Sequence, residues 1–286
     1  MIWSITSKKE MEELNTPSVF RFYQEVLGRE NIQLAVVDET DNLNFINKGD
    51  IVLLRTASKS LINTLRKKEV RTTAEDFDKY ELAWNKKEMG IFLSNHGVKT
   101  PRTFQTSEIV KGKVYIVKPM NSCDSIGISK DSICFTKEDV ANQCYKVLTT
   151  TGCEAIIEEY IHGREFTVVV INNAQLSTYA AEAIFDRKVG IQTYELKKNR
   201  EIVFQKIEDN KIKKDLCDIA AKVFKELKLK SHARIDFRFD KCYNNYVIDV
   251  NLIPGLGPLE YLPRVMQVSN NMSYKDALNA VIASAR

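Results

Sequence analysis

ARIDFRFDKCYNNYVIDVN (Ala233–Asn251) is the stretch that decides the fold. Apolar and polar residues alternate on either side of a polar connection, Lys241 to Asn245, which is the pattern of a two-stranded hairpin. Side chains two apart on a strand share a face, so Arg234 sits with Asp236 and Asp249 with Asn251. One cation and three oxygen ligands thus meet on neighbouring strands. Hard oxygen ligands with little sulfur or imidazole suit Mg²⁺, which normally arrives with the phosphates of a nucleotide. An arginine beside such a metal can hold a phosphoryl or acyl-phosphate oxygen in a transition state. The hairpin therefore predicts an enzyme that uses ATP.

The 286 residues, 44% of them hydrophobic, are enough to bury a full core in two or three sub-domains. No apolar run is long enough for a membrane span, and the start, MIWSITSKKEMEEL, turns charged too soon for a signal peptide. The expected setting is cytoplasmic. A net charge of +4 against 42 basic and 38 acidic residues fits an anionic small ligand and is too small to argue for nucleic acid. The six cysteines include no Cys-x-x-Cys pair, and the three histidines sit at no ligand spacing from them, so reduced structural thiols are expected and zinc is not. Only Cys123, in a polar loop, has the setting of a thiol nucleophile.

Outward from the hairpin, residues 1–84 alternate short apolar strands (Ile32–Asp38, Asp50–Thr56) with helical stretches (Lys8–Leu27, Ser58–Lys68), which predicts a small α/β domain with a parallel sheet. Asn85–His96 reads as an amphipathic helix stopped by Gly97. Strands follow at Val114–Pro119, Glu154–Ile161 and Glu165–Asn172, with a helix from about Lys137 to Thr149. Residues 186–201 read as a mobile loop, and helices are expected at Asp215–Leu227 and Tyr274–Ala285. The architecture expected is α/β then α+β, with domains at 1–84, 85–160 and 161–286.

Lys118 ends an apolar strand at Val117-Lys118-Pro119, where an ammonium led out of the core makes a natural phosphate partner. The loop after it, Asn121 to Lys130, is small, polar and contains Gly127, so its backbone N–H groups can approach phosphates. Glu158, Glu159, Tyr160 and Ile161 lie where a strand passes between sub-domains and backbone groups can read an adenine edge, while Glu165 can accept from both ribose hydroxyls.

Asn85-Lys86, Val117-Lys118-Pro119, Ser125-Ile-Gly-Ile-Ser-Lys130, Glu158-x-x-Ile161-x-Gly-x-Glu165, Arg234-Ile-Asp236 and Asp249-x-Asn251-x-x-Pro254-Gly255 together resemble the ATP-grasp ligases, most of all the D-alanine–D-alanine ligase group. The resemblance covers roughly residues 85–265. It implies an ATP-grasp fold: a small N-terminal α/β (pre-ATP-grasp) domain, then two α+β lobes enclosing ATP. Lys86 and Lys118 would contact phosphates, with Ser122 and Ser125 in the loop closing over them. Glu158 to Ile161 would hold adenine and Glu165 the ribose. Asp236, Asp249 and Asn251 would bind two Mg²⁺. Such enzymes activate a carboxylate as an acyl phosphate, which an amine then attacks; Arg234 would steady the oxyanion. The small-molecule partners would be a carboxylate and an amine, and a homodimer through the N-terminal region is compatible with the group.

The chain departs from that group in three places. Asp124 stands where the group has a serine before the glycine of its phosphate loop. Glu260 falls where a serine would hold the second substrate's carboxylate, after Gly255, and a carboxylate there would repel it. In Tyr194-Glu-Leu-Lys197-Lys198 the group's lysine is kept as Lys197, and Lys198 replaces a tyrosine. These changes point to an acceptor other than D-alanine, cationic or lacking a carboxylate. Glu260 also has a plainer reading, as a turn residue or as the partner of Arg264 four residues on; Tyr261 and Leu262 read as core. Two alternatives to a small-molecule ligase stay open: a ligase acting on a peptide or protein, and a nucleotide-binding protein of the same fold without catalysis.

Overall fold

Strand–helix alternation near the N-terminus gives a parallel sheet, because parallel neighbours need a crossover between them. The computed structural model describes residues 1–8, 22, 25, 28, 32–38, 43–121, 125–186 and 188–286. In it β1 (Ile2–Ser7), β2 (Ile32–Val37), β3 (Ile51–Leu54) and β4 (Arg71–Thr72) pair in parallel in the order β2-β1-β3-β4. α1 (Lys59–Lys67) crosses from β3 to β4 and starts at Ser58, whose side chain accepts from the Leu61 N–H at 3.2 Å. The helix expected over Lys8–Leu27 falls mostly outside the described residues. α2 (Phe77–Trp84) and α3 (Lys86–Asn95) follow, and Asn85 caps α3 by accepting from Glu88 N–H at 3.1 Å. Lys86 is thereby fixed in the first turn of α3.

The next sheet is antiparallel. β5 (Thr103–Phe104), β6 (Tyr115–Pro119), β7 (Ile133–Cys134) and β8 (Ala155–Glu159) lie in the order β5-β8-β6-β7. α4 (Lys137–Thr151) covers one face, packing Val140 and Val147 on Tyr115, Val117 and Ile157. A capping box between Thr136 and Asp139 starts this helix, and Gly152 stops it at φ +69°. Lys118 pairs with Ile156 and Ile116 with Glu158, so Lys118 and Glu158 emerge on the same face of adjacent strands.

The remaining chain forms β9 (Glu165–Asn173), β10 (Gln175–Ile184), α5 (Tyr194–Lys198), β11 (Val203–Lys206), α6 (Asn210–Glu226), β12 (His232–Phe239), β13 (Asn245–Asn251), α7 (Tyr261–Asn270) and α8 (Tyr274–Ala283). Its five strands are antiparallel, in the order β11-β10-β9-β12-β13. The sequence reading did not include β10, β11 and α7. The segment 186–201, expected as a loop, carries the short helix α5, begun by the Thr193 hydroxyl accepting from Leu196 N–H.

The decisive hairpin is β12 with β13. Arg234 lies opposite Asn251 and Asp236 opposite Asp249, so the two pairs expected to share a face on each strand meet on one face of the hairpin. The register then shifts between Asp236 and Phe237, so that Phe237 faces Val247 and Ile248 is the extra residue of a bulge. All eight residues of β12 are buried. Ala233, Ile235, Phe237 and Phe239 join a core with Leu216, Ala220 and Val223 of α6. His232, Arg234, Asp236 and Arg238 occupy the opposite face. Among the described residues no helix is long and apolar enough to cross a membrane.

Candidate active site

Polar residues on a strand buried on both sides must find partners, since an unpaired buried charge costs several kcal/mol. Asp236 and Arg238 reach a cleft between the second and third sheets, Arg234 pairs with Asp236 beside it, and His232 shares a hydrogen bond with the Ser231 hydroxyl. Lys86, Lys118, Ser125, Glu158, Glu159, Tyr160, Ile161, Glu165, Lys197, Asp236 and Asp249 all line the cleft. Ser122 and Asp124 lie outside the described residues, as does Cys123.

At one end of the cleft the basic and acidic groups interlock. Arg234 sends Nε to Asp236 Oδ2 at 3.1 Å and Nη2 to the same oxygen at 3.0 Å, while Nη2 stands 3.8 Å from Asp249 Oδ2. Thr167 on β9 donates its hydroxyl to Asp236 Oδ1 at 2.9 Å, fixing that carboxylate from behind. Lys86 Nζ lies 3.9 Å from Asp249 Oδ1. Burial alone would raise the Asp249 carboxyl, but the charges of Lys86, Arg234, Lys118 and Lys197 outweigh it and hold the group below its ordinary range. Asp249 is thus kept ionised, and its cationic neighbours stand beyond hydrogen-bond distance.

The donor set fits Mg²⁺ in one respect and limits it in another. Two carboxylates face each other across β12 and β13, with the Asn251 amide next along, and all are hard oxygen ligands. Among the described residues no group of three His, Cys, Asp or Glu could hold a metal ion by itself. An ion here would have to share its coordination with ligand phosphates, which is the usual manner of Mg²⁺. Asn251 also accepts from Ile253 N–H at 2.8 Å, which turns the chain toward Pro254-Gly255.

Further along, Lys118 Nζ and Glu158 Oε2 form an ion pair at 2.7 Å, with both side chains only 7% exposed. Two residues expected at opposite ends of a nucleotide are therefore each other's partner. Lys118 Nζ also reaches the Ile248 carbonyl of the bulge at 3.5 Å. Glu165 is buried at the far end, where burial pushes its carboxyl above the ordinary range despite the opposing charge of Arg238. Arg238, not anticipated in the sequence reading, lines this end with its Nε 3.9 Å from Glu165 Oε2. It lies in phase with Arg234 and Asp236, so the alternation that found those two extends to it.

The segment after β10 closes the cleft from above. Gln192 and Lys197 line it, and Tyr194 N–H donates to the Ile128 carbonyl at 3.2 Å, joining this segment to the turn after Ser125. Tyr261, read from sequence as core, is buried but serves the site: Arg234 and Lys197 stand over its ring at 5.0 and 5.3 Å, and its hydroxyl donates to Gln192 Oε1 at 2.6 Å. Nothing in the local pattern separates such a tyrosine from its fully buried neighbour Leu262. Lys198 is exposed and does not line the cleft. Glu260 folds back on the loop before it, so that a Cβ at Gly255 would meet its Cγ and Oε2 at 2.7 Å. Its backbone carbonyl accepts from Arg264 N–H, and its charge also acts on the half-buried Arg264 guanidinium.

Comparison with known proteins gives a consistent result. The family model described as "D-ala D-ala ligase C-terminus" matches residues 86–283. The D-alanine–D-alanine ligase of Aquifex aeolicus is 30% identical over 168 residues, 58% of this chain and 55% of that protein. That of Christiangramia forsetii is 29% identical over 228 residues, 74% of this chain and 67% of the relative. The matched part spans about half to two thirds of the curated relatives' length. Among solved structures, the VanG D-Ala:D-Ser ligase from Enterococcus faecalis has a TM-score of 0.75 at 16% identity, covering 99% of this chain and 98% of that one. The ATP-complexed D-alanine–D-alanine ligase from Bacillus anthracis has a TM-score of 0.72 at 17% identity, covering 99% and 96%.

Proposed function

Because the chain belongs to the D-alanine–D-alanine ligase family and has its ATP-grasp fold, we propose that it is an ATP-dependent, ADP-forming carboxylate–amine ligase. The observation that carries this reading is the Arg234–Asp236–Asp249 cluster at one end of a cleft whose other end is built by Glu165. A cation between two carboxylates at the phosphate end is the equipment of phosphoryl transfer, which depends on positioning and charge neutralisation more than on a protein nucleophile. In this reading residues 1–84, 85–160 and 161–286 are the three domains, and the reaction takes place in the cytoplasm, the setting expected from the sequence.

Each side chain then has a task. Glu158 to Ile161 flank the base, Glu165 accepts from the ribose, and Lys86, Lys118 and the turn at Ser125 hold the phosphates. Asp236, Asp249 and Asn251 hold Mg²⁺, which when bound neutralises phosphate charge. The donor carboxylate attacks the γ-phosphorus, giving an acyl phosphate and ADP. The acceptor amine adds to the acyl carbon, and the tetrahedral adduct collapses to an amide as phosphate leaves, carrying off the proton that the nitrogen gives up. Arg234 steadies the oxyanion of that adduct, and Lys197, over the same Tyr261 ring, faces it from the closing segment.

The relatives' names specify D-alanine or D-serine as what those proteins join. For this chain Glu260, packed on Gly255, favours an acceptor that is cationic or lacks a free carboxylate. The direct test is Mg²⁺-dependent phosphate release from ATP across pooled amino acids, amines and peptides, comparing the wild type with Asp249→Ala. Release that requires one donor–acceptor pair and disappears in Asp249→Ala is expected. ATP binding with no release from any pool would refute the ligase reading in favour of nucleotide binding alone.

A further inference from the structure

Arg238 is 5% exposed, lines the cleft, and divides its guanidinium between two tasks. Nη2 donates to the Gly190 carbonyl at 2.7 Å and to the Gly163 carbonyl at 3.3 Å. The guanidinium also lies over the Tyr160 ring at 5.1 Å, and the Tyr160 hydroxyl donates to the same Gly190 carbonyl at 2.8 Å. Gly190 has φ +76°, and a Cβ there would fall 2.7 Å from the Tyr160 hydroxyl and 3.2 Å from Ile133 Cδ1 of β7. The start of segment 188–198 is therefore latched between the two lobes at a position that only glycine fits.

The Nε of Arg238 is buried and has no hydrogen-bond partner. It stands 3.9 Å from Glu165 Oε2, too far for a direct bond. An oxygen about 2.8 Å from each atom would bridge that separation once the side chains part to admit it. Such an oxygen must accept from Nε and donate to the carboxylate, and a hydroxyl does both. A single orphaned donor beside a carboxylate, both at the sugar end of the cleft, thus has the complement of one ribose hydroxyl.

We propose that Arg238 is a nucleotide-specificity and positioning residue: its Nε and Glu165 together read one ribose hydroxyl, while its Nη2 holds Gly190 and so sets the roof segment that carries Gln192 and Lys197. The inference rests on the nucleotide reading of the cleft and goes beyond it, since it links sugar recognition to the placement of Lys197. Lysine cannot substitute, because one ammonium lacks the planar fork needed to reach Gly163, Gly190 and the sugar at once.

The test measures direct binding of ATP, 2′-deoxy-ATP and 3′-deoxy-ATP to the whole chain, without any acceptor, for wild type, Arg238→Lys, Arg238→Met and Tyr160→Phe. Tryptic cleavage after Lys188 and Lys198 is followed in parallel. In the wild type one deoxy analogue should bind about tenfold more weakly than ATP, the scale of one lost hydrogen bond to a charged group. Arg238→Met and Arg238→Lys should weaken ATP about tenfold, leave that analogue nearly unchanged, and speed cleavage of the segment. Tyr160→Phe should speed cleavage and preserve the ATP-to-deoxy ratio. Equal weakening of all three nucleotides, or an unchanged ratio in folded Arg238→Lys, overturns the proposal. Failure of the wild type to bind any of them would instead refute the nucleotide reading itself, and this inference with it.

Discussion

Replacing Lys118 by methionine keeps the length and apolar bulk of the side chain and removes only its charge, leaving Glu158 buried alone. At 2.7 Å and an effective dielectric constant of about 20, the pair's gross attraction is roughly 6 kcal/mol, much of it offset by desolvation of the two ions. Removing one member of such a pair typically costs about 3–5 kcal/mol, because the remaining charge stays buried without compensation. At about 2–4 °C per kcal/mol, the melting temperature of Lys118→Met should fall on the order of 10 °C. The double variant Lys118→Met/Glu158→Gln buries no net charge at this point and should recover most of the loss. ATP affinity should behave differently, since the phosphate contact proposed for Lys118 is missing from both variants. Thermal unfolding and ATP titration on the four members of the cycle read the two quantities separately. A double variant destabilised by the sum of the two single losses would show that the pair is not coupled. Recovery of ATP affinity along with stability would refute the phosphate role.

Two further outcomes follow from the site. Burial raises the Glu165 carboxyl above its ordinary 4.5, with Arg238 opposing, Asp236 reinforcing, and Lys197 and Lys118 also opposing. Burial thus shifts Glu165 toward its neutral form relative to a free carboxyl, whereas a ribose that donates to it shifts it back toward the carboxylate. ATP affinity should fall as pH drops through the raised pKa, with proton release on binding measurable by calorimetry in buffers of different ionisation enthalpy; Glu165→Gln should remove this component. The same shift makes Glu165's contribution to stability greatest at low pH and lost as pH rises from about 4.5 through the folded-state pKa. Separately, Glu260→Ser should move acceptor preference toward amino acids with a free carboxylate, read as phosphate release across an acceptor panel. An unchanged preference would leave Glu260 as a turn residue only.

The sequence was most legible where one physical constraint governed each position. In β12 and β13 the period of two is enforced by burial, so Arg234 sharing a face with Asp236, and Asp249 with Asn251, followed from spacing, whereas the register that sets Arg234 opposite Asn251 and Asp236 opposite Asp249 did not. The bulge did not, because Ile248 is an apolar residue inside an apolar run and leaves no mark on the pattern. Lys118 stood out at the end of an apolar strand, but its pairing with Glu158 depends on the β6–β8 register, a long-range property. Tyr261 was hidden for the opposite reason: a ring that packs under two cations is as buried as one in the core. In segment 186–201 the charged residues dominated the reading, although Thr193 three residues before Leu196 was a helix-start signal.

β12 carries core packing on one side of its backbone and site chemistry on the other. A one-residue insertion or deletion within it would exchange the two sets at a stroke, putting Arg234 and Asp236 into the oily layer and Ile235 into the cleft. The strand therefore tolerates change only by substitution, one side chain at a time, and the end proposed to handle phosphate is tied to the survival of the fold. The loop from Leu252 to Glu260 divides its duties by position instead: Leu252 and Leu256 are buried in the core, while Gly255 and Glu260 pack on each other at its partly exposed side. In the proposed reading, change at the partly exposed positions of that loop alters what is joined, while the β12 residues assigned to activating the carboxylate are inherited almost as a by-product of staying folded.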